Sequence, residues 1–394
     1  MKKTTLLLII ALFSSISAFS QLENLKLNGY IQTDFACIGK QGVDWMGPAW
    51  SQETDGNSDY YFRYGVRRGL LRGTFVSGRG SGALEINFSE YNVIPLVAFL
   101  QYELHPDLSF QAGLLNINFG HELMFPSSIF EMLERSMHTQ RLFPKEHDLG
   151  FMFTYTAPFR DPMRKLQLSV GMMSGNGINK FVDHTMNFMA HLDYDFVIDS
   201  YSYGFGMSWY EGRTNNAGTS FYTVDDNHQW AAETVDANQK NLRRYINFEA
   251  QLSLFNDFGT SQFRTEWTFG HQPSRLNTFT SQGIGERDSY NAANPFSYDR
   301  EFLGAYLYYI QDIGHTPFTF VGKYAYLDQN TKMGADDITN IADATMHNIG
   351  LGLMYKCNSH ILIEVLYDKY LNETNSVVKE LNDDVCHLRL QYKF

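Results

Sequence analysis

Apolar and polar residues alternate with period two through most of the chain. In the last segment Leu388, Leu390, Tyr392 and Phe394 share one face, while Arg389, Gln391 and Lys393 share the other. The split recurs where Ile246, Phe248, Ala250, Leu252 and Leu254 oppose Asn247, Glu249, Gln251 and Ser253. It recurs again where Phe263, Thr265, Trp267 and Phe269 oppose Arg264, Glu266 and Thr268. Successive side chains of a strand point to opposite faces, so this alternation predicts β-strands rather than helices. Turn residues divide it into sixteen segments: 25–35, 59–75, 82–91, 94–104, 108–119, 147–156, 165–173, 186–196, 202–210, 241–255, 260–270, 301–311, 317–327, 345–357, 360–370 and 385–394.

Connection lengths alternate as well. Short links such as His105-Pro-Asp107, Asn256-Asp-Phe-Gly259, Asp312-Ile-Gly314 and Asn358-Ser359 carry tight-turn chemistry and follow the even strands. Long links, 36–58, 120–146, 174–185, 211–240, 271–300, 328–344 and 371–384, follow the odd ones; the link 92–93 is the short exception. Such alternation places every long loop at one end, as in outer-membrane barrels, whereas Greek-key sandwiches give no such rule. A half-buried antiparallel sheet alternates identically. Alternation, loop asymmetry, an export signal and a chain ending within a strand together favour an all-β, sixteen-stranded antiparallel transmembrane β-barrel. It would have short periplasmic turns, long outer loops and an inward-folded third loop. Apolar residues would face lipid and polar ones a water-filled lumen.

That third loop interrupts the alternation between Gly113 and Arg141. Ser128-Ile-Phe-Glu131 reads as a capping box and predicts a short helix over about Ile129 to Met137. A sixteen-stranded barrel is too wide to be filled by its own wall side chains, so a loop folded into it would set the width.

The N-terminus reads as a signal peptide over residues 1–20. Lys2 and Lys3 supply the positive region, Leu6 to Phe13 the apolar run, and Ala18-Phe-Ser20 the small-x-small cleavage site, leaving a single exported barrel domain over 21–394. No second apolar run is long enough for a membrane helix. A net charge of -12 disfavours nucleic acid as a partner. The terminal aromatic Phe394 resembles the signal by which the outer-membrane assembly machinery accepts its barrels. The twelve histidines form no His-x-x-x-His pair, the cysteines no Cys-x-x-Cys, and Gly-x-Ser-x-Gly is absent, so neither metal, cofactor nor catalytic group is expected. Cys37 and Cys386 fall on strands that closure makes neighbours, which leaves a seam disulfide and two free thiols both open, while Cys357 lies at the opposite rim.

Arg63-Tyr-Gly-Val-Arg-Arg68-Gly-Leu-Leu-Arg72-Gly resembles the arginine-rich second strand of the phosphate-selective porin O and P family. Pro126-Ser-Ser-Ile-Phe-Glu-Met-Leu-Glu134-Arg135-Ser136-Met137 is similar to that family's most recognisable stretch, and His147-Asp148-Leu-Gly150 and Gly171-Met-Met-Ser-Gly175-Asn176-Gly177 resemble further family patterns. The resemblance implies a trimeric outer-membrane porin of Gram-negative type whose third loop constricts the channel. The residues themselves give a mixed lumen: Lys26, Arg68, Arg72, Arg264, Lys323, Lys356, Arg389 and Lys393 stand against Asp34, Glu85, Glu103, Glu249, Glu266, Glu364 and Asp368. Eight basic positions facing seven acidic ones build no strong anion field.

Candidate constriction and lining residues are His121, Glu122, Glu131, Glu134 and Arg135 in the loop, and Arg68, Arg72, Arg264 and Lys323 on the wall. Glu134 and Arg135 also suit an anchor made by charge-assisted pairing. Arg67 points away from Arg68 unless a bulge intervenes. Met124, Phe125, Ile129, Phe130, Met132 and Leu133 suit packing of the loop. The expected function is passive, cofactor-free diffusion of small hydrophilic solutes and ions through a homotrimer in the outer-membrane bilayer. An anion- or phosphate-selective channel, and a binding or structural barrel such as an adhesin or receptor, are the alternatives; the second requires the loop to occlude the lumen.

Overall fold

The computed structural model describes residues 25–41, 59–89, 92–178, 185–216, 218–236, 239–280 and 297–394. The segment read as a signal peptide lies outside the described residues. Sixteen strands make the barrel wall. In chain order, β1 (Lys26–Gly39), β2 (Tyr60–Ser77), β3 (Gly80–Phe88), β4 (Val93–His105) and β5 (Leu108–Asn116) precede the third loop. After it come β6 (His147–Thr156), β7 (Arg164–Met173), β8 (Asn187–Ile198) and β9 (Tyr201–Asn215). A small hairpin, β10 (Ser220–Val224) and β11 (Trp230–Thr234), interrupts the wall sequence. The wall resumes with β12 (Lys240–Asn256), β13 (Gly259–Ser274), β14 (Ser297–Asp312), β15 (Phe318–Asp328), β16 (Thr345–Lys356), β17 (Ile361–Asn372) and β18 (Val385–Lys393).

Each wall strand pairs antiparallel with the next, β9 pairs with β12 past the hairpin, and β1 pairs with β18. That last pairing, from Tyr30 opposite Lys393 to Ile38 opposite Val385, closes the barrel and removes both sheet edges. It also sets Cys37 opposite Cys386, as free thiols. The hairpin, read from sequence as exposed loop, pairs in parallel with the start of β14 through Phe221 and Tyr222. Tyr222 stacks on Tyr298 at 4.4 Å, which gives the polar-looking segment an aromatic reason to fold.

The alternation has the expected sense. Leu390 is 49% exposed and Trp267 53%, while Arg389 and Glu266 are 3% and 2% exposed. The interior, however, is not lined by polar groups alone. Tyr210, Tyr245, Phe302, Tyr308, Ile310 and Leu327 turn inward and bury against residues of the third loop. A lumen holding only water would leave these side chains hydrated, so the loop supplies the apolar surface they need.

The expected helix over Ile129 to Met137 does not form. Two shorter helices flank that span, α1 (Gly120–Met124) and α2 (Met137–Leu142), with turns and bends between them. The intervening carbonyls are taken by the wall: Gln391 donates to Ser128 O at 3.0 Å, Gln32 to Ser127 O at 3.2 Å and Arg389 to Leu133 O at 2.8 Å. Backbone acceptors used this way are lost to an i to i−4 ladder.

Candidate functional site

The loop 117–146 crosses the lumen and is fastened at both sides. It enters through Gly120, whose φ of +65° places it in the left-handed region; a Cβ there would run into the Glu266 carboxylate. The Gly120 amide donates to Ser208 Oγ at 2.8 Å and the Glu122 amide to Glu266 Oε1 at 2.6 Å, so α1 is held by its orphan N–H groups. Glu122, 1% exposed, then accepts from the Ser136 amide at 2.7 Å, Ser136 Oγ at 2.6 Å and Tyr308 OH at 2.5 Å. One carboxylate thereby ties the start of α1, the start of α2 and β14 together.

Arg135 is the loop's internal hub. Its guanidinium donates to the carbonyls of Glu122 and Phe125 and to Glu146 Oε2 at 3.0 Å. Glu134 faces the other way. It receives Arg67 through two bonds of 3.0 Å and Arg389 at 3.2 Å, and Arg389 is clamped on Asp34 by two bonds of 2.7 Å. Burial alone would raise the Glu134 carboxyl, but Arg67 and Arg389 hold it down at about 2. Arg67 reaches inward because the pairing of β1 with β2 shifts register between Gln32 and Thr33, a bulge that turns both Arg67 and Arg68 toward the loop.

The remaining candidates are also engaged. Glu131 pairs bidentately with Arg264 at 2.7 and 3.0 Å, and Arg264 lies 4.5 Å from the centroid of the Phe125 ring. His121 meets Gln251 at 2.5 Å; burial, with Arg264 and His191 nearby, lowers it to about 3 and keeps it neutral. Arg68 bonds Ser127 Oγ, and Arg72 pairs with Glu85 at 3.0 Å. Lys323, on β15, is paired at 2.8 Å with Asp368 of β17 rather than with a loop residue. The structure therefore brings eight of the nine sequence candidates to the loop or the wall beside it and leaves Lys323 in a separate pair.

Sequence reasoning missed Arg67, Gln32, Asp34, Arg389 and Gln391 as loop-holding groups. The Arg67-Arg68 doublet was the available signal, because two adjacent arginines in a lipid-facing strand leave one in hydrocarbon unless a bulge rescues it. Apolar packing completes the seat. Phe143 meets Phe119 at 5.0 Å, Tyr210 at 5.4 Å and Tyr245 at 5.6 Å, while His138 lies over Tyr306 at 6.0 Å.

Cavities remain beside the loop. One of about 250 Å³ opens toward the short-turn end, between the loop's Leu123–Ser128 stretch and the wall of β1 to β4. Another of about 220 Å³, lined by Gln140, Arg141, Tyr370 and Asp383, lies toward the long-loop end. Between those levels a space of about 20 Å³ is bounded by Gln32, Arg67, Phe130, Glu134, Arg135 and Arg389. This is where the loop meets its charged wall.

No family model matches the sequence, and no curated protein sequence resembles it. Solved structures do. OprB of Pseudomonas putida aligns over 94% of this chain and 94% of its own, with a TM-score of 0.62 at 10% identity. The outer membrane channel DcaP of Acinetobacter baumannii aligns over 94% and 97%, at 0.56 and 13%. An anion-selective porin from Comamonas acidovorans aligns over 94% and 99%, at 0.55 and 11%. The chain thus shares the fold of outer-membrane porins and channels, a closed sixteen-stranded antiparallel β-barrel.

Proposed function

We propose that the protein is an outer-membrane porin, a non-enzymatic passage for small hydrophilic solutes and ions. The observation that carries this is the pair of cavities on opposite sides of a loop whose neck, beside Glu134, is bounded by Arg67 and Arg389. Solutes would run eccentrically along β1, β2 and β18, because the loop packs its apolar side onto β9, β12 and β14. His121, Glu122, Glu131, Arg135 and Arg264 then act mainly by holding the loop, and Glu134, Arg68 and Arg72 border the route. Selection at the neck is by width, with electrostatic bias from the charges that line it. The porin fold and an apolar outer face support residence in the outer-membrane bilayer after export and removal of residues 1–20. Delivery through a C-terminal Phe394 signal and assembly as a homotrimer belong to the same reading, as does membership of the phosphate-selective porin O and P family.

Reconstitution in planar bilayers tests it. Steady, ohmic single-channel conductance is expected, small for a sixteen-stranded barrel because the loop fills most of the width. Protein that inserts, keeps its barrel and passes no current would instead favour a binding or structural barrel. Reversal potentials in asymmetric salt, repeated with phosphate, separate a general pore from an anion- or phosphate-selective one.

A further inference from the structure

The cavity of about 250 Å³ is lined by cationic and by apolar groups. Arg68 and Arg72 project from the same face of β2, joined by Lys393 and by Arg135 of the loop. Two carboxylates border the same space, and each is occupied: Glu85 by Arg72 at 3.0 Å and Glu146 by Arg135 at 3.0 Å. Arg68 donates to a hydroxyl, Ser127 Oγ, and the Glu146 and Glu134 carboxylates act on its charge from nearby, but its Nε is buried with no hydrogen-bond partner. A buried donor left unmet costs on the order of 1–3 kcal/mol, so this position favours a guest that accepts a hydrogen bond. The rest of the lining is largely apolar: Leu123, Met124, Phe125 and Pro126 of the loop, Leu96 of β4, and Leu70, which lies between the two arginines on the same face of β2.

A small inorganic anion would satisfy the cations but gain nothing from the apolar lining, and an uncharged apolar solute would leave Arg68 unmet. From this mixed lining we infer a transit site for small organic monocarboxylates with a short apolar body, the carboxylate toward Arg68 and Arg72 and the body against Phe125 and Met124 of the loop. The space is below the usual range of about 300–1,000 Å³ for drug-sized ligands, which restricts the guest to compact acids. The inference deepens the porin reading and rests on it for passage, though not for binding.

The probes are hexanoate, acetate, inorganic phosphate and hexanol, added to reconstituted channels carrying potassium chloride current. Hexanoate is expected to block at about tenfold lower concentration than acetate, since partial burial of its extra methylenes supplies that factor. Arg72→Gln should weaken block by both carboxylates, and Phe125→Ser should erase the difference between them. Equal block by hexanoate, acetate and phosphate would show a charge effect alone and overturn the site; so would hexanol blocking as well as hexanoate. Titration calorimetry of hexanoate into the detergent-solubilised barrel decides the site without current. Channels without conductance but with carboxylate binding would refute the porin reading and keep the site, whereas conductance with no hexanoate binding would do the reverse.

Discussion

The same loop meets two walls of one barrel in different ways. Toward β9, β12, β13 and β14 the packing is aromatic, with Phe119 and Phe143 set among Tyr210, Tyr245 and Phe302, supplemented by hydrogen bonds to Ser208, Glu266 and Tyr308 and by the Glu131–Arg264 pair. Toward β1, β2 and β18 it is ionic, with Glu134 between Arg67 and Arg389, and Asp34 behind Arg389. Apolar contact is non-directional and loses strength in proportion to the area removed. A buried ion pair depends on every partner, because removing one strands the others. The aromatic side therefore behaves as a seat and the ionic side as a latch, and the neck of the proposed route lies at the latch.

Removing Arg389 is the severest way to break that contrast. Arg389→Leu leaves Asp34 and Glu134 buried without their shared cation, at a cost of about 4 kcal/mol. The barrel should lose its folded mobility in detergent gels at a clearly lower temperature, and single-channel conductance should rise as the loop leaves β18. Unchanged conductance would mean the latch does not set the width. Phe143→Ala attacks the seat instead and should cost about 3 kcal/mol. Here the melting temperature falls while mean conductance stays near that of the parent, since the latch is intact; a conductance rise as large as that of Arg389→Leu would erase the distinction between the two walls.

Acid should separate the two sides in an order opposite to intuition. His138 sits on α2 against the aromatic wall, 1% exposed, with both ring nitrogens lacking partners. Burial lowers it to about 4 although Glu122 pulls the other way. With its folded value below the unfolded 6.5, the unfolded chain binds the proton first, so stability drains as pH falls from 6.5 toward 4, by about 2 kcal/mol at pH 5. Glu134, depressed from 4.5 to about 2, keeps its contribution until pH drops below 4.5. The seat should therefore weaken before the latch. Thermal melting followed against pH should show a first loss that His138→Gln abolishes; one step confined below pH 4.5 would refute the assignment.

The difference between the walls also explains what could be read from the chain. Strands were legible because lipid on one side and polar groups on the other force a strict alternation, as at Arg389 between Leu388 and Leu390. Loop lengths then gave the end on which Gly113 to Arg141 emerges. The internal shape of that loop was not legible. Ser128 and Glu131 look like a helix cap locally, yet Ser128 gives its carbonyl to Gln391 and Glu131 its carboxylate to Arg264, partners 263 and 133 residues away. Partners so distant leave no trace in local spacing. Tyr245 and Tyr308 likewise carry no local sign that the loop buries them.

The mildest test lies off the latch, in the cavity beside it. Glu85 pairs with Arg72, whose side chain keeps 33% of its exposure, so water can solvate the arginine once its partner is gone. Glu85→Gln should then cost no more than about 0.5 kcal/mol, the scale of a partly exposed pair. Removing one of the two cavity carboxylates nevertheless leaves Arg68, Arg72, Arg135 and Lys393 facing Glu146 alone. The reversal potential in a potassium chloride gradient should shift toward chloride while melting and conductance hold. A shift toward potassium, or none, would mean that ions do not pass this wall at all, and the route would have to run on the side where the loop is packed.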